Sequence, residues 1–128
     1  DKDSWGIKRG VLLPVSAPFH CPLMKPAAQE MEKALAETAI RAPSVPLYAN
    51  VTAEAVSDPD VIRELLVDQV TGRVRWRESV LAMHQGGAER FVEIGGKVVG
   101  PMVGRTVADA EVMSVQSMDD IEALIKSL

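Results

Sequence analysis

The stretch Leu12-Leu13-Pro14-Val15-Ser16-Ala17-Pro18-Phe19-His20-Cys21-Pro22-Leu23-Met24 decides how the rest of the chain is read. Val11 to Val15 is a continuous apolar run with one proline, which predicts a short buried strand. A tight polar turn follows, and then a helix begins at about Leu23. Proline at 14, 18 and 22 fixes φ around the turn and removes three backbone donors. The turn carries one histidine and one cysteine, and the stiffened corner holds that imidazole off both periodic faces.

Outward from this corner the chain alternates helices and strands. Met24, Ala27, Ala28, Met31, Leu35 and Ala39 recur at three- and four-residue steps and predict a helix over Leu23–Ile40, ended by Arg41-Ala42-Pro43-Ser44. Val45 to Val51 predicts a strand, with Pro46 near its start where a missing donor is tolerated. Asp58-Pro59 reads as an N-cap followed by proline at the first helical position. The helix it opens carries Ile62, Leu65, Leu66 and Gln69 on one face and stops at Thr71-Gly72. A further helix spans about Val74 to Gln85, with Trp76, Val80 and Met83 inward and Gly86-Gly87 as its stop. Arg90 to Ile94 is a strand, and Gly95-Gly96 turns it into a helix over about Lys97 to Val107, with Pro101 in the first turn. Glu111 to Val115 is the last strand. Ser117 caps a final helix with Ile121, Leu124, Ile125 and Leu128 in one apolar stripe. Four strands and five helices in this order predict an α/β layer with a mostly parallel sheet. Such a sheet needs both faces covered, so the chain reads as a piece of a larger α/β unit.

Bulk properties narrow the function classes. The 128 residues allow one domain or part of one. With 47% hydrophobic but only 4% aromatic residues, the core must be built from Val, Leu, Ile, Ala and Met. A net charge of −4 argues against a nucleic-acid partner bound through its phosphates. One cysteine forms no internal disulfide, which fits a reducing, cytoplasmic setting. No apolar run approaches the roughly 20 residues of a membrane span, and the polar start Asp1–Gly6 does not read as a signal peptide.

Leu13 to Cys21, followed by Leu23-Met24-Lys25-Pro26-Ala27-Ala28, resembles the histidine segment of the malonyl-CoA:acyl carrier protein transacylases, the malonyl-loading enzymes of fatty acid synthesis. The resemblance continues through nearly everything after about Lys8. It implies an α/β-hydrolase-like acyltransferase subdomain with a small ferredoxin-like insert, of which this chain would be the C-terminal portion. Residues 9–16 would close the small subdomain and residues 17–128 would form part of the large one. Residues 1–8 would be a divergent lead, a tag or a cleavage scar, of which 1–6 do not look like the helix expected there. The expected partners are malonyl-CoA, acyl carrier protein and the missing N-terminal portion of the same enzyme. No metal or organic cofactor is implied.

In that family a serine in a Gly-x-Ser-x-Gly elbow attacks the malonyl thioester, and a histidine takes its proton and later activates the phosphopantetheine thiol. An arginine pairs with the malonyl carboxylate, and backbone N–H groups hold the oxyanion. The resemblance makes His20 the base. It makes the backbone carbonyl of Gln69 the acceptor that sets the histidine tautomer, although Gln69 also reads as an ordinary helix-end residue. Phe19 matches an aromatic position that accompanies malonyl over methylmalonyl selection in related polyketide domains. One methyl of room is worth about 1–3 kcal/mol there. Phe19 reads somewhat more readily as a core residue anchoring the turn, since some stand-alone malonyl enzymes are small at this position. None of the serines at 4, 16, 44, 57, 79, 114, 117 and 127 stands in a Gly-x-Ser-x-Gly setting, so the chain alone is expected to be inactive.

Other features carry less. Cys21 adjoins His20, but adjacent residues on an extended segment point apart, which disfavours a Cys–His hydrolase. His84 reads as a surface residue at a helix end. Gly95-Gly96-Lys97 could hold an anion on free N–H groups, yet it lacks the further glycines of a phosphate loop and reads as structural. Arg73, Arg75, Arg77, Arg90 and Arg105 could meet an acidic carrier or CoA phosphates, or form a solvated face. The competing function class is a non-catalytic α/β interaction module that binds acyl carrier protein.

Overall fold

The computed structural model describes Gly6, Gly10, Leu12 and residues 14–128. A short 3-10 turn, five α-helices and two separate two-stranded sheets make up these residues. The expected strand over Val11–Val15 falls partly outside them, at Val11 and Leu13. Leu12, Pro14 and Val15 belong to no strand, and all three are exposed.

Pro22–Met24 form a 3-10 turn, and α1 follows over Lys25–Ala36 with Pro26 in its first turn. This is shorter than the expected Leu23–Ile40. The Thr38 hydroxyl donates to the Ala34 carbonyl at 2.8 Å, and Arg63 Nη1 donates to the Thr38 carbonyl at 3.0 Å. The last carbonyls are thus satisfied sideways, and the helix does not continue toward Pro43. Ala28 is buried where α1 packs on the next helix, whereas Ala27, Met31 and Ala39 of the expected stripe are exposed.

The predicted strand over Val45–Val51 contracts to β1, Leu47–Tyr48. It pairs antiparallel with β2, Ala55–Val56, which the sequence pattern does not reveal. Helix α2 spans Pro59–Thr71, and its cap is as expected. The Asp58 carboxylate accepts from the N–H of Asp60 at 2.8 Å and of Val61 at 3.4 Å. Helix α3 spans Trp76–Gln85 and buries Val80 completely against Val103 and Val107.

β3, Arg90–Ile94, and β4, Glu111–Val115, pair in parallel with Phe91 opposite Val112 and Glu93 opposite Ser114. The single, mostly parallel sheet of the sequence reading is therefore corrected: one pair is parallel, and the other is a separate antiparallel ribbon. Phe91 and Val112 face the Val80 cluster. Val92 and Ile94 alternate to the other face, where Ile94 is 80% exposed. Helix α4, Gly100–Thr106, is shorter than the expected Lys97–Val107 but holds Pro101 in its first turn. Helix α5, Met118–Ser127, starts in a capping box. The Ser117 hydroxyl accepts from Asp120 N–H, and the Asp120 carboxylate accepts from Ser117 N–H. Its apolar stripe is largely uncovered, with Ile121, Ile125 and Leu128 exposed.

The accessible surface is 9723 Å². A compact monomer of 128 residues would expose roughly 6,600 Å² by surface scaling. Apolar positions such as Ile94, Val98, Met118 and Leu128 are among the strongly exposed residues.

Candidate active site

The proline-braced corner closes on itself. Phe19 N–H donates to the Ala17 carbonyl at 2.9 Å, and the Cys21 thiol donates to the Pro18 carbonyl at 3.0 Å. That thiol is engaged with main chain, which leaves no Cys–His dyad. His20 adopts φ +58°, in the left-handed region, at a cost of roughly 1–2 kcal/mol for a residue with a Cβ. This conformation presents its ring to the end of α2.

Nδ1 of His20 lies 2.8 Å from the backbone oxygen of Gln69. A carbonyl only accepts, so Nδ1 carries a proton, and in the neutral ring the free lone pair is then on Nε2. The acceptor is available for a local reason. The last four carbonyls of a helix lack intrahelical partners. Gly72 N–H takes the Asp68 carbonyl at 2.8 Å, and Gln69, next in the chain, is left to the imidazole. His20 is exposed and Gln69 half-buried. The structure thus brings together His20 and Gln69, which are 49 residues apart. Phe19 sits beside them, 55% exposed. The core-anchor reading of Phe19 is therefore wrong: the corner is held by its own hydrogen bonds, not by burial of that ring.

The sequence reading missed Asn50. Its side-chain amide donates to Oε1 of Gln69 at 3.0 Å. The one signal was an asparagine interrupting an apolar segment.

The glycine turn after β3 is not an anion site, because the chain supplies its own anion. The Glu93 carboxylate accepts from the N–H groups of Val98 at 2.7 Å, Val99 at 3.0 Å and Gly100 at 2.8 Å, and from the Ser114 hydroxyl at 3.3 Å. These bonds, that from Val98 foremost, hold its pKa below the ordinary glutamate value. His84, read as a surface residue at a helix end, is half-buried; its Nδ1 lies 3.0 Å from the Ala88 carbonyl.

Three of the five scattered arginines converge. Arg73, Arg77 and Arg105 line an open groove of about 690 Å³ together with Trp76, Glu78 and Met102. Glu78 pairs with Arg73 at 3.3 Å and with Arg75 at 3.5 Å. Arg77 and Arg105 have no salt bridge among the described residues. Arg90 lies elsewhere, where it joins Glu111 of β4 to the Ser127 carbonyl of α5. The groove is positive, with three arginines against one glutamate.

No protein-family model matches the chain. It is 37% identical over 124 residues to the malonyl CoA-acyl carrier protein transacylase of Escherichia coli K12, and 36% identical over 124 residues to that of Bacillus subtilis 168. Each match covers 96% of this chain and 39% of the relative. The fold matches an acyl-carrier-protein-S-malonyltransferase from Bartonella henselae with TM-score 0.90 and 47% identity, over 98% of this chain and 40% of that one. A malonyl-transacylase solved in complex with its type II PKS acyl-carrier protein matches with TM-score 0.90 and 31% identity, over 98% of this chain and 41% of that one. Sequence and fold together define an α/β chain of the acyltransferase class. The chain belongs to the malonyl CoA-acyl carrier protein transacylase family, and it spans about two-fifths of the length of the curated relatives it matches.

Proposed function

We propose that this chain is the C-terminal portion of an enzyme that moves malonyl from malonyl-CoA to the phosphopantetheine thiol of acyl carrier protein through a serine ester. His20 is the general base, and the Gln69 carbonyl fixes its tautomer. Nε2 takes the serine proton as the hydroxyl oxygen attacks the thioester carbonyl, and the proton then passes to the departing CoA sulfur. In the second half, the carrier thiol gives its proton to Nε2, its sulfur attacks the ester, and the serine oxygen recovers the proton. The observation that carries this reading is the 2.8 Å contact between His20 Nδ1 and Gln69 O.

The serine, the carboxylate-binding arginine and the oxyanion hole come from the remaining portion, which would cover Ile94 and the other exposed apolar positions. Residues 9–16 end the small subdomain, and residues 17–128 belong to the α/β-hydrolase-like large one. Phe19 crowds the α-carbon of the acyl group. The groove of Arg73, Arg77 and Arg105 suits the acidic carrier protein.

A chimera tests the proposal: residues 9–128 replace the matching segment of the Escherichia coli relative, and transfer of radiolabelled malonyl to carrier protein is followed. Transfer is expected, with loss of about 10³-fold or more in the His20→Ala chimera. Undiminished transfer without His20 would overturn the assignment. Covalent labelling of the isolated chain by malonyl-CoA would show that it holds its own nucleophile. Carrier binding with no turnover in the chimera would favour the interaction module.

A further inference from the structure

The reading of His20 as base leaves open what holds the Gln69 carbonyl in place, since the last turn of a helix frays readily. From the hydrogen bonds around the joint between α2 and α3, we infer that Asn50 is the positioning residue that keeps this carbonyl on His20. The inference rests on the proposed function and deepens it.

Asn50 grips the joint on both sides. Its side-chain amide donates to Oε1 of Gln69 at 3.0 Å, before the joint. Its own carbonyl accepts from Arg75 N–H at 2.8 Å, after it. The loop that carries Asn50 is itself fixed. Ala53 N–H donates to the Ala49 carbonyl at 2.8 Å, with Ala53 at φ +59°, and Arg75 Nη1 donates to the Thr52 carbonyl at 2.8 Å. Asn50 and Gln69 are both half-buried, and with Leu47, Ile62, Leu65 and Leu66 they line a small cavity of about 150 Å³. An amide–amide bond against apolar walls is stronger than one in water. The contacts run from Asn50 to Gln69 to His20. Asn50 touches no reacting atom. It acts by denying the residue 69 peptide the freedom to turn its oxygen toward solvent.

The test is nitrogen-15 NMR of the histidine rings in this chain, above the pH at which imidazole is protonated. The unmodified chain is expected to hold His20 mainly as the Nδ1–H tautomer. In Asn50→Ala the ratio of Nδ1–H to Nε2–H should fall at least twofold. Gln69→Ala, which keeps the carbonyl but loses the side-chain anchor, should match it, and the double variant should add nothing further. Asn50→Asp should restore the ratio, because the Gln69 amide can turn over and donate to the carboxylate. His84, which has its own acceptor in Ala88, is the internal control and should not move. An unchanged His20 ratio in a folded Asn50→Ala would overturn the inference. If that variant fails to fold, Gln69→Ala decides in the same way. A chain with no Nδ1–H preference at His20 to begin with would overturn the base assignment along with it. A preference that ignores both variants would overturn the positioning role alone.

Discussion

Gly72→Ala probes how firmly the end of α2 is held. Gly72 has φ −86° and ψ 155°, which alanine adopts without strain, so the effect is purely steric. A Cβ built there lies 2.8 Å from Val51 Cγ1 and 2.9 Å from the Asp68 carbonyl oxygen. The valine can rotate, but the carbonyl is main chain, and the Gly72 N–H already bonds to it at 2.8 Å. Relief therefore requires the last turn of α2 to shift by several tenths of an ångström, taking the Gln69 peptide with it. Overpacking of this kind costs about 1–3 kcal/mol. With a urea m-value near 2 kcal/mol/M, the midpoint should drop by roughly 0.5–1.5 M. Gly104→Ala is the paired control. It lies inside α4 with nothing within 4 Å of its added Cβ, and a glycine-to-alanine change in a helix should raise stability by about 0.5–1 kcal/mol. The assay is urea unfolding followed by far-UV circular dichroism, with the His20 tautomer read in parallel. If Gly72→Ala stays within about 0.5 kcal/mol of the parent and leaves the tautomer unchanged, the end of α2 yields freely. The claim that it presents a fixed carbonyl would then be refuted.

Three further outcomes are expected. Glu93 and Asp120 both have pKa values lowered by backbone N–H bonds, foremost from Val98 and from Gln116. A depressed carboxylate contributes stability above its unfolded value, near 4, that is lost as pH falls through the folded value. Urea midpoints should therefore decline from about pH 4 downward, and the slope should flatten in Glu93→Gln. Asp58→Ala removes the cap of α2 and should cost about 1 kcal/mol, seen as a thermal midpoint lowered by about 3–5 °C; an unchanged midpoint would mean that the two N–H bonds contribute nothing. Arg77→Glu with Arg105→Glu should slow association of the chimera with carrier protein about tenfold at low salt, with the difference closing as ionic strength rises; equal rates at low salt would remove the groove from the docking surface.

Local signals were legible where one residue's chemistry sufficed. The Asp58-Pro59 start, the Gly72 stop, the Ser117 cap and both five-residue strands of the parallel pair stand where the pattern put them, because caps and side-chain alternation are short-range devices. The two-residue ribbon was illegible, since Leu47–Tyr48 and Ala55–Val56 are too short to show a period. The early end of α1 was hidden because Arg63, in another helix, helps to stop it.

The sequence by itself determined the family, through the proline-braced corner around His20 and the residues beyond it, and it fixed which segments become helices. Only the tertiary structure decided the rest. It showed that His20 meets the Gln69 carbonyl, that Asn50 anchors Gln69, that Glu93 fills the anion position ahead of α4, and that three of five arginines share one groove. The contacts among these join groups from 5 to 49 residues apart, set by how helix ends and loops come to rest against one another. No local periodicity encodes that, because hydrogen bonds across a fold depend on position in space and not on spacing along the chain.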